Sequence, residues 1–90
     1  MKYLKLEVGK SYPIEFISQD YELLSTPYGP RYNYKIKHDN EEMLLRATDK
    51  LRMQIEFYFK MYKNNNAILS VFNGGNHKIT FMQYNLIPNQ

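Results

Sequence analysis

Polar and apolar residues alternate along much of the chain, and short turn-forming segments interrupt the alternation. Residues 12–24 are rich in strand-forming residues, and the polar segment 18–20 within them predicts one long strand with a bulge or bend at its middle. Residues 25–30 (STPYGP) give the strongest turn signal, because proline fixes φ and glycine tolerates positive φ. The first third of the chain therefore predicts a bent strand that ends in a turn.

Two further alternating segments predict a second and a third strand. In residues 31–38 the side chains of Tyr32, Tyr34 and Ile36 share one side, and after a tight turn residues 42–47 alternate in the same way. We expect the tyrosines to face the core. A pairing register shifted by one residue would instead expose them as a stacking platform, and the sequence leaves that alternative open.

Residues 49–63 fit two patterns. Apolar residues recur at every second position, which suits a strand. On a helical wheel, however, the charged residues gather on one arc, and Leu51, Ile55 and Tyr58 lie on the opposite arc. We favour the helix, because a strand of this length would be unusual and the Thr-Asp pair at residues 48–49 can cap a helix.

The last third of the chain predicts two more strands, at residues 67–72 and 78–84. They are joined by residues 73–77 (NGGNH), whose Asn-Gly and Gly-Gly pairs are typical of hairpins. Five strands with a helix between the third and the fourth is the order of the OB-fold, a small, partly open Greek-key barrel. We therefore predict a mainly β, five-stranded OB-like Greek-key barrel, formed by residues 1–90 as a single domain.

The composition agrees with one small domain. The chain has 90 residues, 43% of them hydrophobic, and it has no cysteine, which removes disulfides and thiolate metal sites. Its N-terminal residues are charged where a signal peptide is apolar, and no stretch approaches the ~20 apolar residues that span a bilayer. We expect a cytoplasmic protein with no membrane partner, in the host cytoplasm if the chain is from a virus or phage.

The chain offers little catalytic chemistry. His38 and His77 lie in different turns, and neither has an acidic residue at a spacing typical of a metal site or a catalytic triad. The Gly-Gly pair of the last loop is not followed by the Lys-Ser/Thr of a phosphate-binding loop. Glu41 and Glu42 are adjacent and would face opposite sides of a strand. We expect no enzymatic activity, no metal and no cofactor.

Three segments resemble the OB-fold single-stranded nucleic-acid-binding family, which includes replication-type ssDNA-binding domains. Residues 6–12 (LEVGKSY) are similar to the glycine turn before the first strand, and residues 26–35 (TPYGPRYNYK) to the first loop and second strand. Residues 45–51 (LRATDKL) are similar to the third strand and the start of the helix. The resemblance covers residues 6–84. It implies a ligand groove across strands 2 and 3, flanked by the loops that join strands 1 and 2 and strands 4 and 5.

The residues at these positions suit a nucleic-acid groove. The net charge is +3, and the positive excess lies within residues 31–63. If the tyrosines of strand 2 fill the barrel, we expect basic groups to cross its outer face with few opposing charges and to attract phosphates. Tyr28 could stack on a base, with Tyr21 and Tyr84 as further stacking candidates. The predicted nucleic-acid-binding residues are Tyr28, Arg31, Asn33, Lys35, Lys37, Arg46, His77 and Lys78.

These features predict non-catalytic binding of single-stranded nucleic acid, of DNA in preference to RNA, with little sequence specificity. The alternative is a protein–protein interaction or oligomerisation domain that uses the same barrel without nucleic acid. Phe57, Phe59 and Met61 favour that alternative, because together they are more apolar than one small barrel needs. A homodimer would be compatible with either function.

Overall fold

A computed structural model describes residues 2–89 and contains five strands and one helix. In chain order these are β1 (Ser11–Thr26), β2 (Gly29–His38), β3 (Glu41–Ala47), α1 (Asp49–Tyr62), β4 (Asn66–Asn73) and β5 (Met82–Pro88). The predicted order, with the helix between the third and fourth strands, is confirmed.

The five strands form one antiparallel sheet in the order β3-β2-β1-β4-β5. Within residues 2–89 the end strands β3 and β5 do not pair with each other, so the mainly β prediction is confirmed, whereas the structure is an antiparallel sheet with one helix and not a closed barrel. The helix follows β3 and contacts β5, β2 and β3. It therefore lies over the inner face of the curved sheet, between the two end strands. There it covers apolar side chains that a closed barrel would enclose by pairing its end strands.

Strand β1 is long and irregular at its middle, as predicted. Its first half pairs with β4, and its pairing with β2 shifts register between Phe16 and Tyr21. Within that interval the hydroxyl of Ser18 accepts a hydrogen bond from the backbone N–H of Asp20 at 3.0 Å. A bulge of this kind bends a strand and increases its twist, so β1 can belong to both halves of the sheet.

The hairpin between β1 and β2 is tighter than the proline and glycine content suggested. Only Pro27 and Tyr28 form the turn, and Thr26 pairs directly with Gly29. The hydroxyl of Thr26 donates to the carbonyl of Gly29 at 2.6 Å and accepts from the N–H of Tyr28 at 3.2 Å. The turn is therefore shorter than the predicted segment 25–30. Residues 25–26 belong to β1 and residues 29–30 belong to β2, so the prediction is wrong at both ends.

The helix replaces the alternative strand over residues 49–63. The Thr48 side chain accepts a hydrogen bond from the N–H of Leu51, and Lys63 ends the helix in a left-handed conformation with φ 47°. Leu51, Ile55 and Tyr58 are buried, which is the spacing that the helical wheel predicts.

Strand β5 begins four residues later than predicted and runs to Pro88. Asparagine side chains hold the preceding loop: Asn73 accepts from the N–H of Gly75, and Asn76 accepts from the N–H groups of Lys78 and Ile79. Since these backbone donors are satisfied within the loop, they do not extend the ladder between β4 and β5.

The core lies between the inner face of the sheet and α1. Tyr34 and Ile36 are fully buried and Tyr32 is half-buried, so the expected register is confirmed and the alternative of an exposed tyrosine platform is excluded. The buried apolar residues are Tyr12, Ile14, Phe16, Tyr34, Ile36, Met43, Leu45, Ala47, Leu51, Ile55, Tyr58, Ala67, Leu69 and Val71.

The N-terminal segment does more than lead into β1. The N–H of Leu44 donates to the carbonyl of Lys2, and the N–H of Leu4 donates to the carbonyl of Leu44, both at 2.9 Å. The segment therefore adds a short parallel bridge to the outer edge of β3. Leu4 and Leu6 pack against the core.

No helix within residues 2–89 is long and apolar enough to cross a membrane.

Candidate nucleic-acid interface

The candidate surface is the outer face of β1, β2 and β3. Strand alternation turns Asn33, Lys35 and Lys37 of β2 to this side, because Tyr34 and Ile36 between them point into the core. Arg46 of β3 lies directly opposite Asn33, and Leu44 lies opposite Lys35. The structure thus brings four of the eight predicted residues onto one surface, which we call the β2–β3 face: Asn33, Lys35, Lys37 and Arg46.

Acidic residues share this face, so the expectation of few opposing charges is wrong. Lys37 lies between Glu15 of β1 and Glu42 of β3, each directly opposite it in the ladder. Glu22 of β1 lies opposite Asn33. The sequence argument considered only the pairing of β2 with β3, whereas β1 covers the other edge of β2 and contributes its own acidic outer side.

The cations of this face nevertheless form no close ion pair with any residue that the structure describes. Among residues 2–89, Lys2, Lys10 and Arg52 each have a carboxylate oxygen within 4.0 Å, at 3.0, 2.7 and 2.9 Å respectively. No such pair is formed by Arg31, Lys35, Lys37 or Arg46. The charges of the β2–β3 face are therefore available to an anionic ligand without first breaking a salt bridge.

An aromatic ring lies on the β2–β3 face, and it comes from a residue that the sequence analysis did not single out. The guanidinium carbon of Arg46 is 4.2 Å from the centroid of the Tyr3 ring. The hydroxyl of Tyr3 accepts a hydrogen bond from the Asn33 side chain at 3.3 Å. Tyr3 is 40% exposed, so part of its ring is accessible for stacking. The parallel bridge at Leu44 places it there, and only the three-dimensional structure shows that pairing.

Asn33 is the one buried polar side chain of the face, at 5% exposure. Its amide nitrogen reaches Tyr3, whereas its carbonyl oxygen has no hydrogen-bond partner among the described residues. A buried acceptor without a partner is unusual, because desolvation then has no compensation. Asn33 also lines a shallow hollow of about 390 Å³, together with Asp20, Lys35 and Leu44.

Two more predicted residues, Tyr28 and Arg31, lie at or next to the tip of the hairpin between β1 and β2. The tip is at the opposite end of the β1–β2 ladder from Lys37. Tyr28 is 87% exposed and its ring makes no aromatic or cation–π contact within the described chain. Arg31 donates to the carbonyl of Pro30 at 2.8 Å. Burial raises the pKa of Tyr84, and the positive charge of Arg31 opposes that rise.

His77 and Lys78 are exposed in the loop between β4 and β5. No described hydrogen bond or ion pair links their side chains to the β2–β3 face. The same loop reaches the start of α1, where the ammonium of Lys50 is 4.6 Å from the centroid of the Phe81 ring. The structure therefore places this loop beside the helix N-terminus.

The other tyrosines serve the fold. Tyr32 donates to a carboxylate oxygen of Asp49 at 2.7 Å, and this bond raises the pKa of Tyr32, with burial adding to the effect. Tyr21 packs edge-on against Tyr32, with ring centroids 5.0 Å apart. Tyr84 is half-buried at the core, next to α1. Of the three stacking candidates, Tyr28 has by far the most accessible ring.

Within residues 2–89 no group of three or more His, Cys, Asp or Glu side chains is arranged to hold a metal ion. His38 contacts the carbonyl of Pro13 at 2.8 Å through Nδ1 and Asp39 at 3.3 Å through Nε2.

Comparison of the chain with protein-family models, curated proteins and solved structures finds no match.

Proposed function

We propose that this protein binds single-stranded nucleic acid through the β2–β3 face and the tip of the first hairpin, without catalysis and with DNA preferred to RNA. The observation that carries the proposal is the set of cations on the β2–β3 face that form no salt bridge with a described residue, beside the exposed ring of Tyr3; the exposed ring of Tyr28 lies apart, at the hairpin tip. Phosphates bind such cations, and bases stack on accessible aromatic rings with little sequence preference.

The strand order supports an OB-like reading of the fold. Strands β3, β2 and β1 are joined by hairpins, and β4 returns after the helix to lie beside β1. This is the spatial order of a Greek key. In OB-folds the face of strands 2 and 3 and the adjoining loops hold the ligand, and here these elements carry Lys35, Lys37, Arg46 and Tyr28.

Fluorescence anisotropy with a labelled oligothymidine about 20 nucleotides long tests the proposal, since one OB domain covers ~4–16 nucleotides. If Lys35, Lys37, Arg46 and Arg31 all contact phosphates, the logarithm of affinity falls with the logarithm of salt concentration with a slope near −3, at about −0.7 per contact. An oligouridine of equal length measures the preference for DNA. No salt-sensitive binding at low ionic strength would contradict the proposal.

Charge reversal locates the binding surface. We expect Lys35→Glu and Arg46→Glu to weaken binding several-fold and to make the salt slope shallower, because each replaces a phosphate contact by repulsion. Lys60→Glu on α1 is the matched control, because Lys60 is also exposed and forms no salt bridge. Equal losses in all three variants would show that only net charge matters and that the β2–β3 face is not the site.

The second candidate is an assembly domain that binds no nucleic acid. It is favoured by Phe57 on the outer side of α1, which is 63% exposed and lines a groove beside β5, whereas Met61, 58% exposed, lies outside that groove. Phe59, in contrast, packs on Phe16 with ring centroids 4.8 Å apart. The molar mass from light scattering, with and without oligonucleotide, separates the candidates: an oligomer that never binds the oligonucleotide supports assembly alone.

A further inference from the structure

The backbone of β5 is unpaired along one side. The N–H of Asn89 donates to the carbonyl of Asn66, and the N–H of Gly74 donates to the carbonyl of Phe81. In an antiparallel ladder these two bonds fix which residues face the neighbouring strand. The odd-numbered residues from 81 to 89 therefore direct their backbone groups to β4. The even-numbered residues Met82, Tyr84 and Leu86 direct theirs away from the sheet.

The two ends of the sheet are treated differently. At the β3 end, the chain's own residues 2–4 bond to the backbone of Leu44 and cover part of the edge. At the β5 end, no described backbone hydrogen bond reaches the outward groups of Met82, Tyr84 or Leu86. Natural proteins usually protect such an edge with charged side chains, proline or a covering segment. Here Pro88 blocks one end, and residues 79–89 contain no Asp, Glu, Lys, Arg or His.

An apolar groove runs beside the open edge. Met53 and Phe57 of α1, each 63% exposed, form one wall, and Tyr84 and Leu86 of β5 form the other. Its volume is about 460 Å³. Exposed apolar side chains that adjoin an unpaired strand edge mark an interaction surface. A partner strand can bond to the unpaired backbone groups while it removes the apolar side chains from water.

We propose that this surface binds a second copy of the chain, with β5 pairing antiparallel to the β5 of its partner about a two-fold axis. Such an interface uses the same patch on both subunits and closes on itself. The composition of β5 favours this occupant: because residues 79–89 carry no charged side chain, two β5 strands pair without like-charge repulsion between their own side chains. In that arrangement Tyr84 of one copy lies opposite Tyr84 of the other. Pro88 of each copy ends the ladder between the two β5 strands, because proline has no N–H to donate.

The dimer extends the sheet to ten strands across the two copies and brings the Phe57 walls of both grooves toward the shared axis. It names the partner for the second candidate function and rests only on the assembly part of that function. It is independent of nucleic-acid binding, because the β2–β3 face belongs to other strands. A protein that binds oligonucleotide as a monomer would contradict the dimer and leave the nucleic-acid proposal standing. A dimer that does not bind oligonucleotide would contradict nucleic-acid binding and leave the dimer standing.

Light scattering after size exclusion, over a wide range of protein concentration, tests the dimer on the full chain. We expect a dimer for the unchanged protein. Met82→Pro should give a monomer, because the N–H it removes points away from β4 and no intramolecular ladder bond is lost. Phe57→Lys should also give a monomer, since it places a charge in each groove wall.

Met61→Lys is the matched control for the groove variant. Met61 lies on the same helix with similar exposure, 58% against 63%, but it does not line the groove. We expect this variant to remain dimeric, and circular dichroism to show that all three variants are folded. A monomeric unchanged protein, a Met82→Pro variant that stays dimeric, or a Met61→Lys variant that dissociates as Phe57→Lys does would each overturn the proposal.

Discussion

The guanidinium of Arg46 lies over the ring of Tyr3, with its carbon 4.2 Å from the ring centroid. This contact joins the N-terminal segment to β3 across the candidate interface. The same tyrosine also accepts a hydrogen bond from buried Asn33. One residue near the N-terminus therefore links two side chains of the β2–β3 face.

Replacement of Tyr3 by alanine should destabilise the fold. The cation–π contact and the hydrogen bond together suggest a loss of about 1 kcal/mol in the free energy of unfolding. Urea denaturation followed by circular dichroism measures it. Tyr28→Ala is the matched control, because its ring is 87% exposed, and surface changes of this kind alter stability by less than about 0.5 kcal/mol. Equal effects of the two substitutions would contradict a structural role for Tyr3.

Two buried tyrosines should respond in opposite ways to loss of the hydroxyl. The Tyr34 hydroxyl is buried without a partner among the described residues, whereas the Tyr58 hydroxyl donates to the carbonyl of Asn66 at 2.6 Å. Tyr34→Phe should leave the free energy of unfolding unchanged or raise it, because it removes an unsatisfied polar group. Tyr58→Phe should lower it by about 1 kcal/mol or more. Urea denaturation of the pair provides the test, and a destabilised Tyr34→Phe protein would indicate that its hydroxyl has a partner in solution.

The same burial makes stability depend on alkaline pH. Burial raises the pKa of Tyr34, Tyr58 and Tyr84, so in the folded protein these side chains stay neutral. In the unfolded chain a tyrosine ionises near pH 10. The contribution of these groups to stability is therefore fully present below about pH 10 and is lost as pH rises above that value. The free energy of unfolding at a series of pH values measures this loss, and Tyr34→Phe should show a shallower decline than the unchanged protein. Identical declines would show that Tyr34 does not contribute to the loss.

The two adjacent glycines of the last loop should differ in their tolerance of a side chain. A Cβ on Gly75 would collide with the backbone carbonyl of Ile79, which cannot move without the loop. A Cβ on Gly74 would collide with the side chains of Gln83 and Phe81, which can rotate away. We expect Gly75→Ala to cost about 2 kcal/mol, as overpacking against a fixed neighbour does, and Gly74→Ala to cost less. Thermal denaturation compares the two. The reverse order would show that the loop backbone yields more easily than the side chains.

Local signals predicted most of the elements. The helix from Asp49 to Tyr62 followed from the 3.6-residue spacing of its buried side chains and from its Thr48 cap, both of which depend on neighbours in the sequence. The bulge in β1 followed from a polar interruption. The start of β5 was misplaced, because asparagine side chains bind the loop backbone there, and propensity alone does not distinguish that arrangement from a strand.

The candidate site was predicted less completely than the fold. Alternation correctly put Lys35, Lys37 and Arg46 on one face, but it could not show that β1 contributes Glu15 and Glu22 beside them. Nor could it bring Tyr3 to Arg46, since more than forty residues separate them in the sequence and a parallel bridge joins them in space.

By itself, the sequence determined the number and order of the elements, the inward faces of β2 and β3 and the buried face of α1, because the periods of two and 3.6 residues are properties of the local backbone. Only the tertiary structure decided that the sheet ends stay apart, that the N-terminal segment covers the edge of β3, and that the edge of β5 remains open. Those outcomes depend on pairings between distant segments. Such pairings are fixed by how the curved sheet closes around α1, and no short stretch of the chain encodes that geometry.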